Sequence, residues 1–498
     1  MATAAEAGAI CRNHVNGEWI ESKSQKIVER RNPANTDELV ARVALSTGEE
    51  AKDAIGAAKA ALSAWRATPA PVRGSILFKA ARLMDEQKTE LARLLTREEG
   101  KALKDALGEV QRSINIMEFM AGEARRLTGE TLPSELPKNF SYTIRQPVGV
   151  VGVITPWNFP LAIPVWKIAP ALVCGNTVVF KPATLTPLCA MRLVQVLEQA
   201  GLPAGVLNLV TGSGKEVGDE IVTNPNVQAV SFTGSNSVGG DLYATGASES
   251  KKVQCEMGGK NPVVILRDAD LHLAMESALF GAFASTGQRC TATSRVIVEE
   301  SVADEWVEML AKRAGNFVVG DGLDPAVDMG PLVDEGQMNA VVRYIEIGKK
   351  EAELKCGGER LSGSKYDKGW FVAPTLFDHV PPESVIAQEE IFGPVLSVIR
   401  VKNFDEAVAA ANSVRYGLTS SVYTADANKI FEFVERSEAG MVHVNSPTVG
   451  GEAHVPFGGT KSTSVGPKEV GRSALDFYSE IKIVYVDYTG RKRESSIY

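Results

Sequence analysis

Hydrophobic and polar positions change their spacing at about residue 140 of this 498-residue chain. Before that point, residues 49–65 and 75–95 place apolar side chains three and four positions apart, which predicts amphipathic helices and a helical amino-terminal third. Between residues 148 and 266, and again from 294 to 445, short Val/Ile-rich runs alternate with helical patterns. Continuous apolar strands that alternate with helices are typical of parallel sheets covered on both faces. The pattern therefore predicts an α/β fold.

The two rounds of alternation indicate two α/β domains, with the junction just after Gly258-Gly259. Residues 476–488 alternate as a strand, and residues 138–147 have the same pattern of an exposed strand. An exposed strand carries unpaired backbone groups that pair readily with another chain. We therefore expect these two segments to take part in subunit assembly.

Composition and charge exclude several classes of protein. Hydrophobic residues make up 44% and charged residues 23% of the chain, which excludes disordered and low-complexity proteins. The net charge of −8 is spread without a basic block, so no nucleic-acid partner is expected. Neither a membrane span nor a signal peptide is predicted. The six cysteines are scattered without CxxC pairs, which indicates reduced thiols and a cytoplasmic protein.

Two reactive side chains stand out in their local sequence. Cys290 follows Arg289 in a polar loop, where a neighbouring cation would favour the thiolate; an incidental loop thiol is the alternative. Glu256 ends an apolar-leaning run just before the glycine pair. Facing a cleft, it would have a raised pKa and serve as a general base; an ordinary surface glutamate is the alternative.

Two turns present backbone or amide groups. Asn158 lies between Pro156 and Pro160, so its amide is held rigidly, as an oxyanion hole requires, unless it only bonds its own turn. Gly234 follows a buried strand and precedes a helical run, which suits a pyrophosphate or a ligand-free turn. The G-x-G-x-x-x-G stretch at 212–218 is one residue too long for the dinucleotide fingerprint. The five histidines are isolated, so no metal site is predicted.

Seven motifs occur in one order: TPWNFP, FKPAT, FTGS followed by Gly239, EMGGKNP, GQRCTA, EEIFGPV and PFGGTK. Their order and spacing resemble the aldehyde dehydrogenase superfamily, and the resemblance covers about residues 12–490. It implies NAD(P)-dependent oxidation of a small-molecule aldehyde to a carboxylic acid. The Cys290–Glu256 separation of 34 residues is the usual one in this superfamily.

The resemblance implies a role for each motif. Cys290 is expected to attack the aldehyde, giving a thiohemiacetal and then a thioester. The Asn158 amide and the Cys290 backbone N–H would hold the oxyanion, and Glu256 would activate water. The implied cofactor residues are Ile154, Thr155, Pro156, Trp157, Lys181, Thr184, Gly234, Ser235, Gly239, Glu390 and Phe392.

The choice of cofactor depends on one position. Family members that prefer NAD often carry Glu three residues after the lysine that resembles Lys181, and here that position is Thr184. A carboxylate there would repel a 2′-phosphate, whereas Thr donates a hydrogen bond to one. We therefore expect NADP to be favoured, with NAD as the alternative.

The substrate prediction also comes from resemblance. Residues 444–450 and the GQRCTATSR and FMAGEARR stretches resemble the 2-oxoglutarate-semialdehyde (2,5-dioxopentanoate) dehydrogenase branch. Arg125 or Arg126 would pair with a distal carboxylate, unless both face solvent. The full set of expected substrate residues is Arg125, Arg126, Trp166, Arg289 and Phe457.

Other functions remain open at this point. A succinate-semialdehyde dehydrogenase is disfavoured by Ala284, where arginine is usual. Broad-specificity or aromatic aldehyde oxidation would suit an apolar tunnel, and a CoA-acylating enzyme would not need Glu256. A catalytically retired binding or structural protein would not need Cys290, Glu256 and Asn158 together.

The resemblance also divides the chain. It implies two doubly wound Rossmann-like domains: a dinucleotide-binding domain from residues 1–127 and 148–258, and a catalytic domain from 259–446. Residues 128–147 and 474–498 would form a small β oligomerisation element of a homodimer or homotetramer. The segment after PFGG is one residue longer than is common, which leaves the role of Glu469 in doubt.

Overall fold

The computed structural model describes residues 8–492 and has an α/β architecture, as the alternation of strands and helices predicts. The helices are α1 (Gly48–Ala67), α2 (Ala70–Glu86), α3 (Lys88–Glu99), α4 (Leu103–Glu123), α5 (Ala162–Cys174), α6 (Pro187–Gln199), α7 (Asp219–Thr223), α8 (Asn236–Ser248), α9 (Leu271–Phe283), α10 (Glu300–Gly315), α11 (Glu335–Glu351), α12 (Val385–Gln388), α13 (Phe404–Asn412), α14 (Ala427–Arg436) and α15 (Ala474–Phe477). The strands are β1 (Ala9–Cys11), β2 (Asn13–Val15), β3 (Glu18–Ile20), β4 (Ile27–Asn32), β5 (Asn35–Ala44), β6 (Thr131–Leu132), β7 (Asn139–Pro147), β8 (Val150–Ile154), β9 (Thr177–Lys181), β10 (Leu207–Leu209), β11 (Ala229–Thr233), β12 (Lys252–Glu256), β13 (Asn261–Ile265), β14 (Thr293–Glu299), β15 (Glu353–Cys356), β16 (Thr375–Asp378), β17 (Val395–Val401), β18 (Tyr416–Gly417), β19 (Thr419–Tyr423), β20 (Met441–Val444), β21 (Thr460–Lys461), β22 (Ser464–Val465) and β23 (Ser479–Asp487).

The first large sheet has eight strands in the order β22-β12-β11-β8-β9-β10-β2-β3. Its five central strands, from β12 to β10, are parallel, and their order corresponds to the doubly wound Rossmann arrangement. The apolar strands β8 and β11 are buried along their whole length, which explains their continuous Val/Ile-rich sequence. The chain reverses its strand order between them, so the carboxyl ends of β8 and β11 border a crevice.

The second large sheet has seven strands in the order β15-β16-β17-β14-β13-β19-β20. All neighbours except β15 and β16 pair in parallel. The chain passes from the carboxyl end of β12 to the amino end of β13 through only residues 257–260. The carboxyl edge of the first sheet therefore faces the amino edge of the second.

A smaller sheet joins β23, β7 and β6. Its strands β7 and β23 pair antiparallel from Asn139 opposite Asp487 to Pro147 opposite Ser479. The two segments with an exposed-strand pattern thus form one sheet. Several of its apolar side chains face outward, including Phe140, Ile481, Ile483 and Tyr485. The predicted assembly segment 474–498 also includes residues 493–498, which lie outside the described residues, as do residues 1–7 of the first predicted domain.

Two sequence-based expectations need correction. The helical pattern at residues 75–95 is split at Gln87, which ends α2 and begins α3. The amino-terminal third is not uniformly helical, since β1 to β5 occupy residues 9–44 and form a small sheet and the edge of the first large sheet. No helix within residues 8–492 is both long and apolar enough to cross a membrane.

Candidate active site

Two cavities lie at the junction of the two large sheets, and a third continues from them along the first sheet. The strand-end cavity, of about 240 Å³, is bordered by Pro156 after β8 and by Thr233 and Gly234 at the end of β11. The outer cavity, of about 470 Å³, is bordered by Ile154 and Phe232, the residues one or two positions earlier on the same strands. The two cavities therefore continue one another along the strand ends, where a doubly wound sheet binds its ligands.

The aromatic cavity, of about 460 Å³, lies on the other side of Cys290. Its walls include Phe159, Trp166, Phe280 and Phe457. The rings of Trp166 and Phe457 lie 5.3 Å apart between centroids. Cys290 lines both this cavity and the strand-end cavity, so a group bound in either one reaches the thiol.

Cys290 is held by its backbone at the amino edge of the second sheet. The Asn261 side chain, at the start of β13, donates hydrogen bonds to the carbonyls of Cys290 and Ala292, each at 2.8 Å. Burial raises the pKa of the Cys290 thiol to about 12, and the carboxylates of Glu390 and Glu256 add to the increase. The resting side chain is therefore a thiol, which has to lose its proton before its sulfur can attack.

Asn158 lies in the strand-end cavity beside Cys290. Its side-chain amide donates one hydrogen bond to the Gln288 carbonyl at 3.0 Å, which leaves a second amide N–H for a ligand. The main-chain carbonyl of Asn158 accepts a hydrogen bond from Lys101 Nζ at 2.6 Å. The amide is thus fixed by contacts on both sides, more firmly than by its turn alone.

Lys101 belongs to a fully buried group of charges under the Asn158 turn. Its ammonium pairs with Glu109 at 2.6 Å and with Glu99 at 3.8 Å. Glu109 also accepts hydrogen bonds from the backbone N–H groups of Leu161 and Ala162, at the amino end of α5. Since Asn158 leads directly into this helix, the group fixes its position relative to α4.

Glu256 ends β12 as a buried carboxylate. Ser464 Oγ donates a hydrogen bond to Glu256 Oε2 at 2.5 Å, and within the described chain Oε1 has no partner. Burial raises the pKa of Glu256 to about 8, and the neighbouring Glu469 carboxylate adds to the increase. A carboxyl group in this state accepts a proton near neutral pH, as a general base must.

Glu469 takes part in a second buried network. It pairs with Lys167 Nζ, which also donates to Ser231 Oγ at 2.9 Å. Backbone hydrogen bonds join Glu469 to Phe457 in both directions, at 2.6 and 2.7 Å. The longer segment after PFGG therefore still brings Glu469 against the first sheet, next to Glu256.

Trp157, Glu390 and Phe392 face one another in the strand-end cavity. The rings of Trp157 and Phe392 meet edge to face at 5.4 Å. Phe392 has a φ of 58°, a left-handed conformation that a side chain rarely adopts without a functional constraint. The Gly259 N–H donates to Glu390 Oε1 at 2.9 Å, and burial raises the pKa of Glu390 to about 7.

The amino end of α8 completes the same cavity. Ser235 caps this helix, and its side chain accepts a hydrogen bond from the Val238 N–H. Gly239 packs against Met257 rather than forming a cavity wall, since an added Cβ would lie 2.5 Å from the Met257 sulfur. Thr155 and Thr233 have buried hydroxyls that lack a partner among the described residues. Such groups suit a polar ligand at the strand ends.

Lys181 is the last residue of β9 and lies near Gly218 in the wall of the outer cavity. The Lys181 ammonium is buried and donates only to the Pro182 carbonyl, at 3.2 Å, among the described residues. Burial lowers the pKa of Lys181 to about 8. Thr184 is half-buried in the loop that follows. A buried cation without a carboxylate partner is suited to an anionic or hydroxyl-bearing ligand.

Sequence comparison assigns this arrangement to a family. The profile of the aldehyde dehydrogenase family matches residues 19–484. The chain belongs to the aldehyde dehydrogenase family. It is 46% identical over 475 residues to the alpha-ketoglutaric semialdehyde dehydrogenase of Bacillus subtilis, covering 95% of this chain and 97% of the relative. It is 48% identical over 471 residues to the 2,5-dioxopentanoate dehydrogenase of Saccharolobus solfataricus, with coverage of 94% and 97%.

Solved structures agree with the fold of this aldehyde dehydrogenase. Betaine aldehyde dehydrogenase from Staphylococcus aureus, in complex with NAD+, superposes with a TM-score of 0.95 at 33% identity over 99% of this chain and 97% of that chain. An E. coli NADP-dependent enzyme gives a TM-score of 0.92 at 37% identity over 96% and 98%. The chain is an oxidoreductase that acts on aldehydes with a nicotinamide cofactor. The two doubly wound sheets predicted for this family are present.

The arginines predicted to meet the substrate need correction. Arg125 and Arg126 follow the end of α4 and are exposed, and Arg126 pairs with Glu123 at 2.5 Å. Neither lines the aromatic cavity. Arg112, on the same helix, lies in the cavity wall instead. Both predicted arginines lie beyond Glu123, where the helix has ended, whereas Arg112 lies within it.

Arg289 lines the aromatic cavity and interacts electrostatically with Cys290, but its guanidinium is already engaged by other side chains. Its guanidinium donates to Ser285 Oγ at 2.8 Å and lies 3.5 Å from the Asp105 carboxylate. The leading cation among the causes that lower the pKa of Cys290, against the larger effect of burial, is Arg112. Adjacent residues in a loop point in different directions, so sequence distance is a poor guide to charge distance.

The prediction that the protein has no metal site stays a prediction. Carboxylate and imidazole atoms of Glu353, Asp378 and His379 lie within 4.8 Å of one another. Asp378 is already neutralised by Arg400, whose guanidinium donates to both of its oxygens. The cluster lies on β15 and β16, at the edge of the second sheet.

Proposed function

We propose that this aldehyde dehydrogenase oxidises 2-oxoglutarate semialdehyde to 2-oxoglutarate. The observation that carries the proposal is that Cys290 lines two cavities at once, with Asn158 beside it and aromatic and cationic side chains opposite. The names of relatives at 46–48% identity over nearly the whole chain support the semialdehyde as substrate.

In the proposed reaction, the Cys290 thiol loses its proton to solvent, and the thiolate sulfur adds to the aldehyde carbonyl. The free amide N–H of Asn158 and the Cys290 backbone N–H hold the oxygen that becomes negative. Glu256, whose raised pKa lies close to neutral pH, is the base we assign to the water of the second half-reaction. A nicotinamide cofactor held by Trp157, Glu390 and Phe392 would supply the hydride acceptor, and loss of the hydride from the substrate carbon would leave a thioester on Cys290.

Water then releases the acid. The ionised Glu256 takes a proton from the water as its oxygen attacks the thioester carbonyl, and the C–S bond breaks to return the Cys290 thiolate. Ser464 holds one oxygen of Glu256, which leaves the other free to face the water. A negative charge on the Glu256 carboxylate disfavours a second negative charge on the Cys290 sulfur, and the reverse holds too. The site therefore favours one ionised group at a time.

The strand-end and outer cavities fit a dinucleotide. The orphaned hydroxyls of Thr155 and Thr233, the capped amino end of α8 and the buried Lys181 supply donors along the carboxyl edge of the first sheet. We propose that Trp157, Glu390 and Phe392 hold the nicotinamide riboside. We further propose that NADP is preferred, since Thr184 adds no carboxylate, Lys215 lines the outer cavity together with Asp219 and Asp241, and Lys181 lies near Gly218 in its wall.

We also propose the domain organisation and assembly expected of the family. Residues up to 127 and 148–258 would form the dinucleotide-binding domain and residues 259–446 the catalytic domain. The sheet of β6, β7 and β23, with its outward apolar side chains, would join subunits into a homodimer or homotetramer. The cytoplasmic location stays a prediction, in keeping with the free cysteines found among residues 8–492.

A direct assay tests the proposed function. Purified protein is given 2-oxoglutarate semialdehyde, succinate semialdehyde or benzaldehyde with NADP or NAD, and absorbance at the wavelength of the reduced cofactor is followed. We expect the highest kcat/KM for 2-oxoglutarate semialdehyde with NADP, and loss of turnover in Cys290→Ser. Equal or higher kcat/KM for benzaldehyde would refute the assignment of a carboxylated substrate.

A further inference from the structure

The charges around the aromatic cavity are paired, with one exception. Lys104 pairs with Asp328 at 2.9 Å, and Asp105 pairs with Arg289 at 3.5 Å. Glu109 pairs with Lys101. Arg112 also lines the cavity, and within residues 8–492 it forms no ion pair. The cavity beside Cys290 therefore has one uncompensated positive charge.

The Arg112 guanidinium is held in place without being neutralised. Nη1 donates to the Gly451 carbonyl at 2.8 Å, and the guanidinium carbon lies 5.4 Å from the centre of the Trp166 ring. Its Nε is buried and has no hydrogen-bond partner in the described chain. Guanidinium has five N–H groups, so most of its donors are unused by protein.

The backbone at Gly451 is shaped around this side chain. An added Cβ at Gly451 would lie 2.7 Å from Arg112 Nη1 and 2.8 Å from Nη2. Any larger residue there would push the guanidinium away from the Trp166 ring. The position of the cation is thus fixed from two sides, by Trp166 and by residue 451.

We propose that Arg112 binds the carboxylate at the far end of the substrate. This rests on the proposed function, since the aldehyde at the other end must reach Cys290, which lines the same cavity. Unused N–H groups of a guanidinium bind a carboxylate with charge-assisted hydrogen bonds. The ligand class is a short aliphatic aldehyde with a terminal carboxylate, and its chain lies along Trp166 and Phe457.

A second role for Arg112 has to be distinguished from this one. Its positive charge also lowers the pKa of Cys290, which Glu256 and Glu390 raise. If Arg112 acted only on the thiol, its loss would slow every aldehyde equally. If it binds the carboxylate, its loss affects carboxylated aldehydes alone, mainly through KM.

The experiment compares Arg112→Met and Arg112→Lys with Arg126→Met, a control in which an exposed arginine near the same helix is removed. Each variant is assayed with 2-oxoglutarate semialdehyde, succinate semialdehyde and the uncharged butanal. For Arg112→Met we expect a loss of kcat/KM of about 10- to 100-fold on both semialdehydes and of less than about threefold on butanal. Arg112→Lys should recover part of the loss, and Arg126→Met should behave as wild type.

A measurement on the wild-type enzyme does not depend on variants that fold. Iodoacetamide alkylation of Cys290 is followed with added glutarate or with its neutral analogue glutaramide. Glutarate should slow alkylation at lower concentrations than glutaramide. In Arg112→Met, the glutarate concentration needed for the same protection should be about tenfold higher. Equal protection by both compounds, or equal losses on butanal and the semialdehydes, would overturn the inference. If the wild type does not oxidise 2-oxoglutarate semialdehyde but succinate semialdehyde still depends on Arg112, the proposed substrate is wrong and the carboxylate site is supported.

Discussion

Replacing Glu256 by Gln should separate the two halves of the reaction. Glutamine keeps the size of the side chain and still accepts the hydrogen bond from Ser464, but it cannot take a proton from water. We expect steady-state turnover to fall by about 10²- to 10⁴-fold, the usual contribution of a general base. Addition and hydride transfer should persist more fully, so that the thioester on Cys290 accumulates.

The pH dependence of the wild type follows from the pKa of Glu256. Burial raises that pKa to about 8, so the ionised fraction rises from about 9% at pH 7 to about 90% at pH 9. The base acts in its ionised form, and turnover limited by thioester hydrolysis should therefore increase about tenfold between these pH values. Glu256→Gln should lose this rise while its residual rate stays nearly constant.

Rapid mixing tests both expectations. Enzyme is mixed with aldehyde and NADP in a stopped-flow instrument, and reduced cofactor is recorded at each pH. A burst of about one equivalent per site followed by a slow steady phase is expected in Glu256→Gln; Ser464→Ala, which keeps the carboxylate, is the matched control. Loss of the burst itself would show that Glu256 is needed before hydride transfer. A steady-state rate in the wild type that does not change from pH 7 to 9 would refute the link to a raised pKa.

Three further changes test other parts of the structure. Thr184→Glu should lower kcat/KM for NADP relative to NAD by about tenfold or more, because a carboxylate repels the 2′-phosphate, as measured by initial rates. Lys101→Met leaves Glu109 buried without its cation, and should lower the free energy of unfolding in urea by about 3–5 kcal/mol. Ile483→Asp puts a charge on the outward face of β23, and should reduce the mass of the particle in light scattering.

Each change has a control and a contrary outcome. Thr184→Val removes the hydroxyl without adding charge, and an unchanged NADP preference in Thr184→Glu would contradict the cofactor assignment. Lys104→Met breaks the half-exposed ion pair with Asp328 and should lower the free energy of unfolding by less than about 1 kcal/mol. A similar decrease in Lys101→Met and Lys104→Met would contradict the role given to burial. Ile27→Asp exposes the same charge on β4, and an unchanged mass in Ile483→Asp would exclude β23 from the interface.

The regular strands were predictable because their sequence signal is local. The runs that became β8, β9, β11 and β13 are buried along their whole length, and apart from Lys181 at the end of β9 and Asn261 at the start of β13 their residues are apolar or small. The break at Gln87 was not predictable from the apolar spacing, since the pattern continues through it. The order of strands in the sheets came from resemblance and not from the residues.

Only the site residues that belong to a recognisable sequence motif could be predicted. Glu256 and Cys290 lie in recognisable segments, but the partners that tune them are distant in sequence. Ser464 is 208 residues from Glu256, and Glu469 is 302 residues from Lys167. A signal for Arg112 was present in α4, where it follows Glu109 by three positions among mostly buried residues. Charged side chains on a buried helix face indicate a cavity or a network.

The short connection between the two large sheets, residues 257–260, limits which insertions the chain can tolerate. Glu256 is the last residue of β12, and Asn261, which anchors the Cys290 loop, is the first residue of β13. The base and the anchor of the nucleophile are therefore separated by four residues of chain, whatever the length of the loops elsewhere. Insertions in surface loops leave that spacing untouched, whereas a single inserted residue at 257–260 would shift both groups at once. Variation among descendants of this chain is expected to be narrowest in that short stretch.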